Sequence, residues 1–243
     1  MTTFIEGGVT AAKGFQAAGV HCGIRKNRAK KDLGLIVSDR PASAAAVYTR
    51  NLVKGAPLTV TQAHIADGRA RAIVCNSGIA NTCAFDGIEK AEAMCALTAE
   101  ALGIDAADVV VASTGVIGPS IDIAPIAAGL PRLAAALSAQ GSADAAEAIM
   151  TTDTRKKEFA VTFQADGRTC TLGGIAKGSG MIAPNMATML CFLTTDAAIA
   201  LQLLHEALLA VVDDTFNMLS VDGDTSTNDM VVVLANGAAE NTL

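Results

Sequence analysis

The chain has no tryptophan, one tyrosine and seven phenylalanines among 243 residues. A core of that composition is packed by small and branched aliphatic side chains, which suits a layered α/β domain. Histidine is scarce too. His21, His64 and His205 stand far apart without ligand spacing, so no metal site is expected and a Ser-His-Asp triad is hard to assemble. The cysteines at 22, 75, 83, 95, 170 and 191 form no C-x-x-C pair. Most fall in apolar or helical settings, where a thiol behaves as a small hydrophobe. The chain shows no signal peptide and is too large to need disulfide staples, so reduced thiols and a cytoplasmic setting are expected. No uninterrupted apolar run reaches membrane-spanning length. Net charge is −6. The one basic run, Arg25 to Lys31, reads as a solvated surface loop, so nucleic acid is not an expected partner.

Hydrophobic residues make up 51% of the chain, enough for one large domain or two small ones. Residues 33–37 and 44–49 read as strands split by a turn at Ser38-Asp39-Arg40-Pro41. Residues 58–66 are ambiguous between strand and short helix. Residues 70–75 read as a buried strand entering a loop at Asn76-Ser77-Gly78. Residues 88–102 have helical spacing and stop at Gly103. Residues 109–112 read as a strand that breaks at Ser113-Thr114-Gly115. Helices are expected over 126–137, broken or restarted at Pro131, and over 143–150. A hairpin joins 159–163 to 170–172 across Ala165-Asp166-Gly167. A strand at 189–193, an amphipathic helix at 199–212 and a buried strand at 230–234 follow. Strands and helices are mixed without strict alternation, which argues against a simple doubly wound sheet.

The run from Lys177 to Leu190, KGSGMIAPNMATML, carries the most chemistry. A glycine-rich, proline-containing loop delivers Ala187 and then Thr188 ahead of an apolar strand. The dipeptide by itself is an ordinary strand edge. The whole run is what a threonine needs to attack its own preceding peptide bond: a loop able to hold strain, an unshielded alanine carbonyl and an anchored strand. Cleavage would give Thr188 a free α-amine of pKa about 7.7–8.0, able to act as base to its own hydroxyl.

This run closely resembles the self-cleavage segment of the ornithine acetyltransferases, the arginine-biosynthesis bifunctional proteins that act as glutamate N-acetyltransferases. Other segments resemble that family in the same order: GGVTAAKGF at 7–15, LIVSD at 35–39, AIVCNSG at 72–78, ASTGVIG at 112–118, IMTTDT at 149–154 and SVDGDTS at 220–226. The resemblance implies an α/β fold of stacked sheets with flanking helices, similar in logic to the N-terminal-nucleophile hydrolases but distinct in topology. It implies an alpha segment 1–187, and a beta segment beginning at 188 and running to 243. The two processed segments are expected to pair as a heterotetramer of two alpha and two beta. Thr188 becomes the nucleophile, taking acetyl from N2-acetyl-L-ornithine and passing it to L-glutamate. No cofactor is implied, although acetyl-CoA serves some members as a donor.

The same resemblance assigns the Thr114 side chain and the Gly115 N–H to an oxyanion hole, and Thr151, Lys177 and Thr188 to substrate binding, with Lys177 holding a carboxylate. Read alone, Ser113-Thr114-Gly115 is a plain turn, Lys177 a solvated loop lysine and Thr151-Thr152-Asp153 the end of a helix. Asp222, Asp224 and Asp229 lack the spacing of a calcium loop and read as a polar loop. Two departures stand out. Ile79 replaces a polar residue of the family pattern, and family members continue well beyond Leu243, where a glutamate, an asparagine and a threonine complete their site. The chain is therefore expected to be a fragment, to have its remainder as a separate chain, or to come from a truncated gene. A related self-cleaving amidohydrolase or aminopeptidase, and an incomplete chain that only binds a partner, are the alternative readings.

Overall fold

The computed structural model describes residues 2–179, 189–219 and 222–242. Its nine strands are β1 (Thr3–Ile5), β2 (Phe15–Val20), β3 (Leu33–Tyr48), β4 (Arg69–Ile79), β5 (Val109–Val116), β6 (Lys157–Ala165), β7 (Arg168–Lys177), β8 (Leu190–Thr195) and β9 (Met230–Ala235). Five helices accompany them: α1 (Ala56–His64), α2 (Gly87–Leu102), α3 (Ile123–Ala135), α4 (Ser142–Ile149) and α5 (Leu201–Val212). The strand order is β1-β6-β7-β8-β9-β3-β4-β5, with β2 added to β3. Pairs β4–β5 and β8–β9 are parallel and the rest antiparallel.

β3 is the spine. Its first part, Leu33 to Ser38, lies between β2 and β4, and its second part, Ser43 to Tyr48, pairs with β9. The turn expected at Ser38–Pro41 is instead an irregularity inside this one strand, where the register to β4 shifts between Val37 and Ala42. Pro41 is tolerated there because the shifted stretch makes no ladder pairs that its missing N–H would break.

Alternation along the strands explains the layering. Ile73 and Cys75 of β4, Val110 and Ala112 of β5, Ile175 of β7, Phe192 of β8 and Val232 of β9 share one buried cluster. The two halves of the sheet therefore face each other across a common core. The opposite face of β4 and β5, with Val74, Val109 and Val111, packs under α2 and α3 through Met94, Ile126, Leu130 and Leu133. The opposite face of β8, β9 and β3 packs under α5 through Leu204, Leu208 and Val212. The expected α/β layering holds, but the described strands hydrogen-bond into one continuous sheet that β3 carries from layer to layer.

Two strands run further than expected. β4 continues through Asn76-Ser77-Gly78, and β5 through Ser113-Thr114-Gly115, because these triplets pair with each other in parallel register. Neither behaves as a loop, since each triplet supplies the other's backbone partners. α3 passes through Pro131 unbroken. Burial of Ile126, Leu130 and Leu133 offsets the lost helical hydrogen bond. Residues 58–66 resolve as α1 and a short 3-10 turn, with proline in the first helical turn. The hairpin turn holds Asp166 and Gly167 at φ 49° and 70°, as a two-residue type I′ turn demands. No helix among the described residues is long and apolar enough to cross a membrane.

Phe192 is among the largest fully buried side chains and sits between the two layers. Phe192→Ala is expected to destabilise the fold by about 3–5 kcal/mol in urea unfolding. A loss below about 1 kcal/mol would mean the layers are not packed on this residue.

Candidate active site

The alternation that builds the shared core also builds the site. On β5, Val110 and Ala112 point into the core and Thr114 follows them at the same parity. On β7, Ile175 points inward and Lys177 follows. At this end of the layers apolar side chains give way to polar ones, and the two strands meet: Lys177 Nζ donates to Thr114 Oγ1 at 3.1 Å. Lys177 is 7% exposed and Thr114 8%. Lys177 closes a strand and is buried, so the solvated-loop reading of it is wrong. Around the pair lies a cavity of about 490 Å³, whose lining among the described residues includes Thr114, Gly115, Thr151, Lys177, Asn228 and Arg25.

Gly115 is required by close approach. It has φ 135°, and a Cβ there would fall 2.2 Å from the Gly78 carbonyl carbon on the paired strand. Gly115 lines the cavity beside Thr114 with backbone alone. An ammonium can only donate, so Thr114 Oγ1 accepts from Lys177 and its own hydrogen is directed elsewhere.

Asp153 ties Thr151 to the end of β7. It accepts from the N–H of Gly178 at 2.8 Å, from Lys157 Nζ at 2.6 Å and from the N–H of Thr151 at 3.2 Å. Burial alone would raise its carboxyl, but the Lys157 ammonium and these two N–H donors outweigh it and hold the pKa below the usual value. Asn228 stitches the start of β9 to its neighbours. Its Nδ2 donates to the carbonyls of Ala80 and Ser113, and its Oδ1 accepts from Thr82 and Thr227.

Asp229 turns inward and is 2% exposed. Its Oδ1 accepts the N–H of Met189 at 2.9 Å, while Met230 donates its N–H to the Met189 carbonyl at 3.1 Å. The first described residue after the glycine-rich run is therefore held at both its amide groups. Burial raises the Asp229 carboxyl to about 7, only partly opposed by Met189, Ser226 and Lys177. Burial likewise lowers the Lys177 ammonium, against the pull of Asp153, Cys75 and Asp229.

The fold brings together four of the residues singled out from the sequence, Thr114, Gly115, Thr151 and Lys177. Ala187 and Thr188 lie outside the described residues. Arg25, expected on a solvated loop, instead lines the cavity and donates to the Met150 carbonyl. Its neighbours Lys26, Arg28 and Lys30 are exposed. Asp229, expected in a polar loop, is buried, and its only sequence signal was its place directly before an apolar strand. Ile79 packs against the cluster under α2 and α3, which accommodates that departure from the family pattern. Among the described residues no histidine lines the cavity, and no group of three or more His, Cys, Asp or Glu could hold a metal ion. Burial pushes the Cys75, Cys95 and Cys191 thiols up to about 12, so none is poised as a nucleophile.

Comparison with known proteins gives a consistent family. The ArgJ family model matches residues 16–243. The chain is 54% identical over 240 residues to the arginine biosynthesis bifunctional protein ArgJ of Symbiobacterium thermophilum, covering 98% of this chain and 60% of that protein. The chain thus spans about three fifths of such a relative's length. The crystal structure of the ArgJ protein of Bacillus halodurans matches with TM-score 0.71 and 43% identity, over 78% of this chain and 98% of the other. The ornithine acetyltransferase of Mycobacterium tuberculosis, solved with ornithine, matches with TM-score 0.70 and 37% identity, over 78% of this chain and all of the other. At 13% identity and TM-score 0.55, the fold alone is shared with an L-aminopeptidase D-Ala-esterase/amidase of Ochrobactrum anthropi, described as a new variant among the Ntn hydrolase fold. On a family model that matches nearly the whole chain, and on relatives that share both sequence and fold, the chain belongs to the ArgJ family.

Proposed function

We propose that this chain is the self-processing part of an acetyltransferase that moves acetyl from N2-acetyl-L-ornithine to L-glutamate in arginine biosynthesis. The observation that carries this reading is the Lys177–Thr114–Gly115 arrangement in one cavity with Thr151, next to the strand that begins just after Thr188. In processing, Thr188 Oγ attacks the Ala187 carbonyl. The oxyanion receives the Thr114 hydroxyl, freed for donation by Lys177, and the Gly115 N–H. An N-to-O acyl shift and hydrolysis leave segments 1–187 and 188 onward.

In turnover the new α-amine acts as base to the Thr188 hydroxyl, which attacks the acetyl carbonyl of acetylornithine. The same oxyanion hole holds the tetrahedral intermediate, the ornithine amine leaves with a proton, and the acetyl group stays on Thr188. Glutamate then attacks the ester and restores the enzyme, a ping-pong scheme without cofactor. Thr151 and Lys177 contact the substrate. Acetyl-CoA as a further donor, a cytoplasmic location and a tetramer of two alpha and two beta segments belong to the same proposal.

Lengths support processing. Two solved relatives are covered almost completely by 78% of this chain, a share similar in length to segment 1–187, whereas the curated relative is much longer than this chain. That difference in length also favours a second reading, in which this chain is inactive until a partner polypeptide supplies the rest.

Thr188→Ala is expected to abolish both chain cleavage and acetyl transfer, seen as a single intact mass and no acetylglutamate. Persistent cleavage in that variant sinks the assignment. Thr114→Val removes one donor and is expected to lower the transfer rate about 10²–10³-fold. A rate within a few-fold of the parent would remove Thr114 from the oxyanion hole. Asp229 keeps its proton up to about pH 7 when folded, whereas an unfolded aspartate loses it near about 3.9. The folded state therefore binds more protons between those values, and this group's contribution to stability is full at the acid end and lost as pH rises through about 7. Asp229→Asn, which can still accept from Met189, is expected to flatten the fall of unfolding free energy between pH 5 and 8. Parallel curves for parent and variant would contradict it.

A further inference from the structure

We infer that Arg25 grips the α-carboxylate common to the donor and the acceptor, restricting the site to amino-acid substrates; this rests on the acetyl-transfer reading above. Among the described residues two cations face the cavity, and they are not equivalent. Lys177 is buried, spends a hydrogen on Thr114 and lies in the fields of Asp153 and Asp229. It can offer a carboxylate one point contact. Arg25 is half-buried, and among the described residues its guanidinium has no carboxylate within ion-pair distance. Asp32 accepts from its backbone N–H rather than its side chain, and Asp153 acts on it only from a distance. One amino group donates to the Met150 carbonyl. Most of the fork's five N–H donors remain for a ligand.

Position makes the match. The Arg25 side chain lies over Gly78, where a Cβ would come within 3.1 Å of its Cγ and 3.8 Å of its Nε. Gly78 is paired in register with Gly115, so the Arg25 side chain lies over the strand next to the one that carries Thr114 and Gly115. In an N2-acetyl amino acid only the amide nitrogen and one carbon separate the acetyl carbonyl from the carboxylate. A carbonyl held at Thr114 and Gly115 therefore leaves its carboxylate beside the neighbouring strand, where Arg25 is. Ornithine and glutamate differ in the charge at the far end of their side chains, so a site that serves both must recognise what they share. A planar fork takes a carboxylate with two parallel hydrogen bonds, which a lysine cannot do.

The test compares N2-acetylornithine with N-acetylputrescine, the same molecule without its carboxylate, by titration calorimetry and by turnover in the full-length protein and its Arg25→Gln and Arg25→Lys variants. The parent is expected to bind the carboxylated ligand more tightly. Arg25→Gln is expected to weaken that ligand about 10- to 100-fold and leave acetylputrescine unchanged, with Arg25→Lys in between. Equal weakening of both ligands, or no weakening of either, overturns the assignment to Arg25. Should Arg25→Gln fail to fold, the Arg25→Lys variant decides on the same comparison. Binding that discriminates through Arg25 without any acetyl transfer would keep this inference and defeat the proposed reaction instead.

Discussion

A buried ammonium donating to a threonine hydroxyl, Lys177 to Thr114, is the contact on which the site depends, and it exists only because two layers of one sheet are pressed together. Lysine is almost never buried without a partner, since removing its charge from water is expensive. Here the penalty is met by a hydroxyl and by two aspartates at longer range. The same contact sets the direction of the Thr114 hydrogen. Structure and chemistry therefore share one interaction: what satisfies the lysine also orients the donor.

Small side chains make that closeness available. The β3 stretch at 42–46 is nearly all alanine, alternating between the shared core and the cluster under α5. At the cavity rim two glycines stand side by side: a Cβ on Gly115 would collide with the Gly78 backbone, and one on Gly78 would crowd Ile24 and Arg25.

Much of this was legible in the chain. α2, the Asp166-Gly167 hairpin and the last apolar strand follow local rules of capping, turn geometry and burial, and they appear where those rules place them. What local rules missed depends on distant partners. Asn76-Ser77-Gly78 and Ser113-Thr114-Gly115 look like loops until each is given the other as a strand partner. Arg25 looks solvated because its run is basic, yet the fold turns that one residue inward while its neighbours stay out. Asp229 is drawn inside by the N–H of Met189, a contact spanning forty positions. Thr114, Gly115, Thr151 and Lys177 were reached through a resemblance of motifs, whereas burial and hydrogen bonding supply the physical reason they meet.

The place of β8 in the sheet has a consequence for the processing proposed above. β8 lies between β7 on one side and β9 on the other, and β9 in turn pairs with β3. A cut after Ala187 therefore does not divide the sheet into two bodies; it leaves strands of the second piece threaded between strands of the first. Neither piece can depart without baring two strand edges and half of a shared core. If the chain is cut there, its two products stay bound one to one, each pair inherited from a single parent chain.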